Sequence, residues 1–595
     1  MPEYTPRFNT LPEILEHARA EHGHRPFLGT KEAGAWTWMS HAEFGEAADQ
    51  ARGGFANLGV GKGDPIAIVA DNRSEWAIAA YGAYGLGAAV VPMYEAQKDE
   101  NWRYILLDSR ARVAVVANED IRDRISAMRG DLPDLQNLVV LDGESNDAAV
   151  SFVDMLERGK ANPVDVTPLD ANDIAGFVYT SGTTGNPKGV ILSHSNFASN
   201  VSAITEVFPI ESDDRTLSFL PWAHAFGQTV ELHVLLAKGA STAFAQGTRT
   251  IMPFLGEVSP TMLVSVPRIF NTIYDALGKR MEKEGGVKNL MFDTAITNET
   301  KRRRLADEGN SSRLVEMQHQ LFDRLVFSKV RDGFGGRLKY AISGGAAIAT
   351  DVANFIDSLG IKVYEGYGLS ETSPIVTANF PGTRKIGSVG TPIPGVTVSI
   401  DNENRAGDDG EVVVYGHCVM QGYHNLTEQT AAVLTEDGGF RTGDLGRLDK
   451  DGFLFITGRI KEQYKLENGK YVVPTPLEEK ISLSPYISNA IVFGDNKPFN
   501  VGLLVLDDDA VAGWAATQDI TVAGDDLADD ERVRGLIRQE LEKQLADTKG
   551  YERVKKFAIL DEDFTVDNGM LTPTLKLKRN VVVDHYGDKI KDLYS

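Results

Sequence analysis

Short apolar runs and amphipathic stretches alternate through the first 170 residues. Asp64-Pro-Ile-Ala-Ile-Val-Ala70, Ala111-Arg-Val-Ala-Val-Val-Ala117 and Leu138-Val-Val-Leu141 are short β-rich runs. Leu11-Pro-Glu-Ile-Leu-Glu-His-Ala-Arg-Ala20 has helical spacing with acidic residues early. Strands alternating with helices predict a layered α/β domain. Trp76 to Met93 contains no charged residue and approaches the length of a bilayer span. It is rich in Gly and Ala and ends in Ala88-Ala-Val-Val-Pro92, which predicts a buried helix running into a core strand.

Further along, residues 275–335 become highly charged around Lys301-Arg-Arg-Arg304, with helical periodicity over Leu314–Val330. This predicts an exposed helical insertion whose basic run is a solvated face. Between Gly395 and Gly458 the chain turns to short strands and tight turns, including an Asp-Gly hairpin turn at Asp449-Lys-Asp-Gly452. After Arg459 a smaller α+β unit follows, ending in a helical Arg579–Tyr594. The expected fold is therefore α/β: a large layered N-terminal domain over 1–458 with a small β-barrel-like part, a hinge at 459–461, and a small mobile α+β C-terminal domain over 462–595.

Length and charge sharpen this picture. At 595 residues the chain exceeds what one core organises, so at least two domains are required. With 61 basic against 84 acidic residues the formal net charge is −23, which disfavours nucleic acid and anionic lipid as partners over most of the surface. A ligand with phosphate groups then needs a local basic patch. Cys418 is the only cysteine, which excludes an intramolecular disulfide and a cysteine metal cluster. It lies in the apolar run Glu411-Val-Val-Val-Tyr-Gly-His-Cys418 and reads as a small core side chain. The start of the chain lacks a signal-peptide pattern, so a cytoplasmic protein is expected.

The strongest local chemistry is Phe177-Val-Tyr-Thr-Ser-Gly-Thr-Thr-Gly-Asn-Pro-Lys-Gly-Val190, a strand breaking into a glycine- and hydroxyl-rich loop. Gly182, Gly185 and Gly189 let backbone amides approach an anion. Thr180, Ser181, Thr183 and Thr184 supply hydroxyls, and Lys188 supplies a cation. Phosphate needs this combination. Pro187 before Lys188 and Gly189 after it rule out a Walker A loop.

The loop resembles the signature of the adenylate-forming superfamily, which includes acyl-CoA synthetases, peptide-synthetase adenylation domains and firefly luciferase. Further motifs recur in the family's order over nearly the whole chain. Pro221-Trp-Ala-His-Ala-Phe226 is similar to the segment bordering the carboxylate pocket, which implies that His224 lines it. Ser343-Gly-Gly-Ala-Ala347, with Gly344, Gly345 and Ala346, looks like the adenine-side turn. In Tyr364-Glu-Gly-Tyr-Gly-Leu-Ser-Glu-Thr372 the resemblance implies nucleotide contacts from Glu365, Gly366, Tyr367 and Gly368. Tyr367 would stack on adenine, Ser370 would bond the α-phosphate, and Glu371, with Thr184, would hold Mg²⁺. Asp444 and Arg459 correspond to the ribose contacts. Lys461 matches the hinge, and Lys465 the residue presented in the second half-reaction.

Near the C-terminus, Leu-Thr-Pro-Thr-Leu-Lys-Leu-Lys-Arg579 corresponds to the catalytic-lysine loop. Spacing to Arg579 favours Lys576, with Lys578 as the competing position, because Leu575 replaces the glycine that usually precedes the lysine. The Thr-Pro-Thr-x-Lys-x-Lys-Arg ending, Lys465-Leu-Glu-Asn-Gly-Lys-Tyr-Val-Val-Pro474 and the charged insertion are closest to the long-chain acyl-CoA synthetase branch. The resemblance implies a fatty acid–CoA ligase that uses ATP, Mg²⁺ and coenzyme A, with Lys576, His224, Ser370 and Glu371 at the chemistry. Two alternatives remain open: a fatty acyl-AMP ligase that passes its adenylate to a carrier protein, and a catalytically idle acyl-nucleotide binder. Peripheral membrane contact and a homodimer also stay open.

Overall fold

The computed structural model describes residues 4–180, 186–402, 409–518, 520, 530–565, 568–572 and 577–595. The chain divides into two compact units. One comprises 1–399, 413–441 and 449–454; the other comprises 400–412, 442–448 and 455–595.

The larger unit is built on an eight-stranded sheet in the order Gly422–Tyr423, Lys188–Ser193, Ile174–Thr180, Ala89–Met93, Pro65–Val69, Val113–Asn118, Asn137–Asp142, Val150–Ser151. The last six of these run parallel, and their central members are almost wholly buried, as continuous Val/Ile/Ala runs require. The apolar segment after Arg73 forms the helix Ser74–Leu86, buried from Trp76 to Leu86, and feeds the core strand Ala89–Met93. No helix among the described residues is long and apolar enough to cross a membrane. A second sheet of five strands begins with the parallel Met262–Ser265, Tyr340–Ser343 and Lys362–Tyr367, and a four-stranded sheet contains Arg215–Ser218 and Ser241–Phe244.

Helices Pro267–Glu284, Gly286–Asp307 and Arg313–Phe322 lie between Met262–Ser265 and Tyr340–Ser343. The basic run there is only partly solvated, which corrects the expectation. Arg302 pairs with Glu299, while Arg303 bridges Glu299 and Asp357 and donates to the Asn354 carbonyl. The acidic partners come from one turn earlier on the same helix and from the helix Thr350–Ser358, so these two cations fasten the insertion to the domain.

The segment expected to be barrel-like forms a four-stranded sheet of Val396–Asp401, Gly410–Gly416, Phe440–Leu448 and Leu454–Arg459 in that order. Its tight turn closes with Gly452 N donating to Asp449 O at 3.0 Å.

The smaller unit holds a three-stranded sheet, Ile487–Phe493, Asn500–Leu506 and Val554–Leu560. Alternation sorts its two faces. Val492, Leu504 and Ile559 pack with Leu477, Ile481, Ile537 and Leu541 of the helices Pro474–Ile481 and Glu531–Gln544. Ile491, Leu503 and Val505 pack with Val582 and Ile590 of the C-terminal helices Arg579–His585 and Gly587–Asp592.

Candidate active site

The glycine-rich loop is the connection of a hairpin. Ile174–Thr180 and Lys188–Ser193 pair antiparallel, and Thr180 lies directly opposite Lys188. The loop's ends are therefore fixed by the sheet, with a hydroxyl and an ammonium at its neck. Ser181, Gly182, Thr183, Thr184 and Gly185 lie outside the described residues. Below the neck, Gly189 sits against the ring of Tyr179, whose hydroxyl donates to Asp108 at 2.7 Å.

A third strand completes this corner. Gly422–Tyr423 pairs antiparallel with Lys188–Ser193, setting Tyr423 opposite Val190. The Lys188 ammonium lies 4.8 Å from the Tyr423 ring centroid, a cation–π distance. The Tyr423 hydroxyl donates to Glu371 Oε1 at 2.9 Å. Burial, reinforced by Glu371, pushes the Tyr423 phenol far above its ordinary range, so it remains a donor. Glu371 is held a second time, because its carbonyl accepts from Met420 N at 2.9 Å.

Glu371 belongs to a one-turn helix, Ser370–Thr372, that follows the strand Lys362–Tyr367. Thr372 Oγ1 accepts from Leu369 N at 2.9 Å and donates to the Leu369 carbonyl at 3.0 Å, locking the turn. Gly368 precedes it under direct constraint, for a Cβ there would lie 1.6 Å from the Pro374 carbonyl oxygen. Ser370 is buried, and Gly366 and Tyr367 pair with Ala378 and Thr377. Glu365 is buried, and burial raises its carboxyl to about 7 against the opposing pull of the Ile348 and Gly387 amides and Arg384.

The sequence-predicted His224 and the Gly344 turn also meet. His224 caps a short helix by accepting from Phe226 N at 3.2 Å. Phe226 packs so tightly on Gly344 that a Cβ there would lie 2.9 Å from its ring. Gly345, next in line, has φ of 82°, the left-handed region.

Beneath His224 is a polar brace that motif reading missed. Asn72 Nδ2 donates to Ser218 Oγ and the Leu220 carbonyl, while its Oδ1 accepts from Trp222 N at 2.8 Å. Ser218 donates to Glu231 Oε2 at 2.5 Å. Glu231 is fully buried within the π-helix Gln228–Val234, and burial pushes its carboxyl well above the usual range. A wide helical turn at such a place is a common mark of a functional element. Glu231 reads in the sequence as one residue of an apolar helix, and no local signal marks it.

In the smaller unit Asp444 and Arg459 are partners. Arg459 Nε lies 2.9 Å from Asp444 Oδ1, and Asp444 is only 3% exposed. The pair is framed by Gly443 N donating to Glu411 Oε1 at 3.1 Å and Ile460 N to the Gly443 carbonyl at 2.9 Å. Lys461 follows in a turn, and Lys465 is exposed, its ammonium 5.5 Å from the Tyr471 ring. A bridge between Leu571 and Leu577 closes the C-terminal loop. Lys576 lies outside the described residues. Arg579, three positions on, is half-buried and pairs with Glu478 at 2.5 Å.

This combination of a hydroxyl- and lysine-flanked loop, a braced carboxylate beside it and a separate C-terminal unit agrees with the family match. Residues 15–424 match the model described as AMP-binding enzyme, and residues 461–595 match the AMP-binding enzyme C-terminal domain. The chain belongs to the AMP-binding enzyme family. A Mycobacterium tuberculosis protein named long-chain-fatty-acid–CoA ligase FadD15 is 35% identical over 572 residues, covering 94% of this chain and 93% of that protein. The Mus musculus long-chain-fatty-acid–CoA ligase 5 is 30% identical, covering 98% of this chain and 88% of that protein. Among solved structures, the adenylation domain of a carboxylate reductase from Mycobacterium chelonae has a TM-score of 0.81 at 21% identity, covering 99% of this chain and 92% of that one. ATP-bound MatB from Rhodopseudomonas palustris has a TM-score of 0.72 at 22% identity, covering 98% and 100%. The fold expected from sequence, a large α/β N-terminal domain with a smaller C-terminal one, is the fold of this AMP-binding enzyme.

The single cysteine is a core side chain, as its apolar run in the sequence predicts. Cys418 is buried, and burial pushes its thiol up to about 12, far from the thiolate a nucleophile needs.

Proposed function

We propose that the chain activates a long-chain fatty acid with ATP and passes the acyl group to coenzyme A. The observation that carries this reading is the near-full-length likeness to proteins named long-chain-fatty-acid–CoA ligases, spanning both units.

In the first half-reaction a carboxylate oxygen attacks the α-phosphorus of Mg–ATP, and the bond to pyrophosphate breaks, leaving acyl-AMP. The protein's work is positioning and charge neutralisation. The loop from Thr180 to Lys188 grips the phosphates. Ser370 bonds the α-phosphate, Tyr367 and the Gly344–Ala346 turn flank adenine, and Asp444 with Arg459 takes the ribose. His224 borders the acid. Glu371, with one oxygen steadied by Tyr423, offers hard oxygen to Mg²⁺, and Thr184 would add a second oxygen donor. The Glu371 carboxylate, one oxygen of which is fixed by the Tyr423 hydroxyl, is a hard donor of the kind Mg²⁺ would take. Bound there, Mg²⁺ would neutralise charge on the phosphates. Lys576 carries the remaining positive charge to the α-phosphate and the attacking carboxylate.

In the second half-reaction the thiolate of coenzyme A attacks the acyl carbon, the carbon–oxygen bond to AMP breaks, and the thioester forms. Lys461 serves as the pivot between the two half-reactions, and Lys465 takes part in the second. A panel of acids from acetate to a twenty-carbon chain, scored for AMP release with and without coenzyme A, tests the reading. Coenzyme A-dependent AMP release greatest with long chains supports it. Acid-dependent pyrophosphate exchange with no AMP release on adding coenzyme A points to the carrier-protein ligase, and no pyrophosphate exchange with any acid points to the idle binder.

A further inference from the structure

The helical insertion carries a surface that the nucleotide chemistry does not use. Leu314, Met317 and Leu321 of the helix Arg313–Phe322, and Leu325 in the following π-turn, are 63%, 67%, 55% and 41% exposed. Steps of three and four place them on one face, a stripe roughly 17 Å long at 1.5 Å per residue. The opposite face is the packed one. Val315 and Phe327 are buried, and the Asn298 amide donates to the Val315 carbonyl. His319 Nδ1 lies 2.9 Å from Glu299.

Charge is sorted the same way. The acidic residues of this segment have cationic partners: Glu316 lies 3.9 Å from Arg302, and Asp323 binds Arg331 at 2.8 and 3.0 Å. Arg313 and Arg324 are exposed, and among the described residues neither has an ion pair. On a chain of net charge −23, the one exposed leucine–methionine stripe on this helix is flanked by uncompensated arginines.

We propose that this stripe docks the protein on an anionic lipid surface, with Leu314, Met317, Leu321 and Leu325 entering the headgroup boundary and Arg313 and Arg324 meeting lipid phosphates. An apolar face rimmed by cations is what an in-plane interfacial helix requires. A second copy of the chain fits less well. Four half-exposed side chains present a few hundred Å², well short of the ~800 Å² per partner of a standard interface. An isologous pairing would also bring the arginines of both copies together. The inference stands on this surface alone, whichever acid the site takes, although a lipid-docked enzyme would meet long-chain acids where they partition.

The test is co-sedimentation of the full chain with phosphatidylcholine vesicles, with and without phosphatidylserine, over a range of salt. Wild type is expected to pellet with the phosphatidylserine vesicles and to release as salt rises. Met317→Ser/Leu321→Ser should weaken binding at least about tenfold, because two inserted apolar side chains are lost. Arg313→Gln/Arg324→Gln should remove most of the salt-sensitive part. Activity on a short, soluble acid in both variants reports folding and the chemistry independently. Absence of wild-type binding, or equal binding by both variants, overturns the proposal. So does a concentration-dependent dimer, by light scattering, that the same substitutions abolish.

Discussion

Tyr423 donates its hydroxyl to Glu371 Oε1 at 2.9 Å although 52 residues separate them, and the same ring lies under the Lys188 ammonium at 4.8 Å. One aromatic side chain thus sets the spacing between the cation at the neck of the phosphate loop and the carboxylate assigned to Mg²⁺. Tyr423→Phe keeps the ring and deletes the hydroxyl. It is expected to lower the rate of acid-dependent pyrophosphate exchange about tenfold, ~1.4 kcal/mol, with partial recovery at high Mg²⁺. Glu371→Gln should cost about 10²–10³-fold with no such recovery. Exchange rates titrated against Mg²⁺ separate the two, and an unchanged Tyr423→Phe would remove the bracing role.

Glu365 makes a pH-dependent contribution of definite sign. Its folded value of about 7 lies above the ordinary 4.5, so the folded state holds this proton more tightly than the unfolded state does. The contribution is complete below about pH 4.5 and is lost as pH rises through about 7. Glu365→Gln cannot ionise. It should be more stable than wild type by about 1–3 kcal/mol at pH 8 and gain nothing at pH 4.5. Thermal melts across that range check the difference. A pH-independent difference would show that the carboxyl does not titrate there.

Two glycines near the nucleotide motifs separate steric from conformational demand. At Gly368 a methyl would occupy the position of the Pro374 carbonyl oxygen, 1.6 Å away. Gly368→Ala must displace the turn that carries Ser370 and Glu371, and is expected to cost more than ~3 kcal/mol or to abolish soluble expression. At Gly345 the nearest atom to a new Cβ is 3.8 Å away, but φ is 82°. Gly345→Ala should cost only ~1–2 kcal/mol, from the left-handed backbone. Denaturant midpoints of the two variants are the measurement.

Contiguous motifs made much of this site legible. The Thr180–Lys188 loop, Ser370–Glu371 and Asp444 stand out because each lies in a contiguous run of a family motif, and the parallel core strands stand out as unbroken apolar runs. Tyr423, Asn72 and Glu231 do not, for each acts through a long-range contact: Tyr423 on Glu371, Asn72 and Glu231 on the Ser218–Trp222 segment below His224. A buried carboxyl inside Val-Glu-Leu-His-Val has no one-dimensional signature, since the run reads as an ordinary apolar helix. Arg302 and Arg303 misled in the other direction. A row of cations looks solvated until Glu299 and Asp357 fold against it.

Arg579, three positions after Lys576, has a structural task of its own. Arg579 is half-buried, its guanidinium on Glu478 Oε2 and the Val492 carbonyl, while Glu478 Oε1 accepts from Val492 N at 2.7 Å. It anchors the start of the helix Arg579–His585. Arg579→Leu leaves a buried carboxylate unpaired and should destabilise the smaller unit by about 3–5 kcal/mol, seen as an earlier transition in thermal unfolding. Arg579→Leu/Glu478→Leu should recover much of that loss. Lys576→Ala should leave unfolding unchanged. It should slow adenylate formation by about 3–5 kcal/mol in barrier while sparing thioester formation from supplied acyl-AMP. Lys578→Ala should do neither. Equal loss of both half-reactions in Lys576→Ala, or a selective loss in Lys578→Ala, would move the catalytic assignment off Lys576.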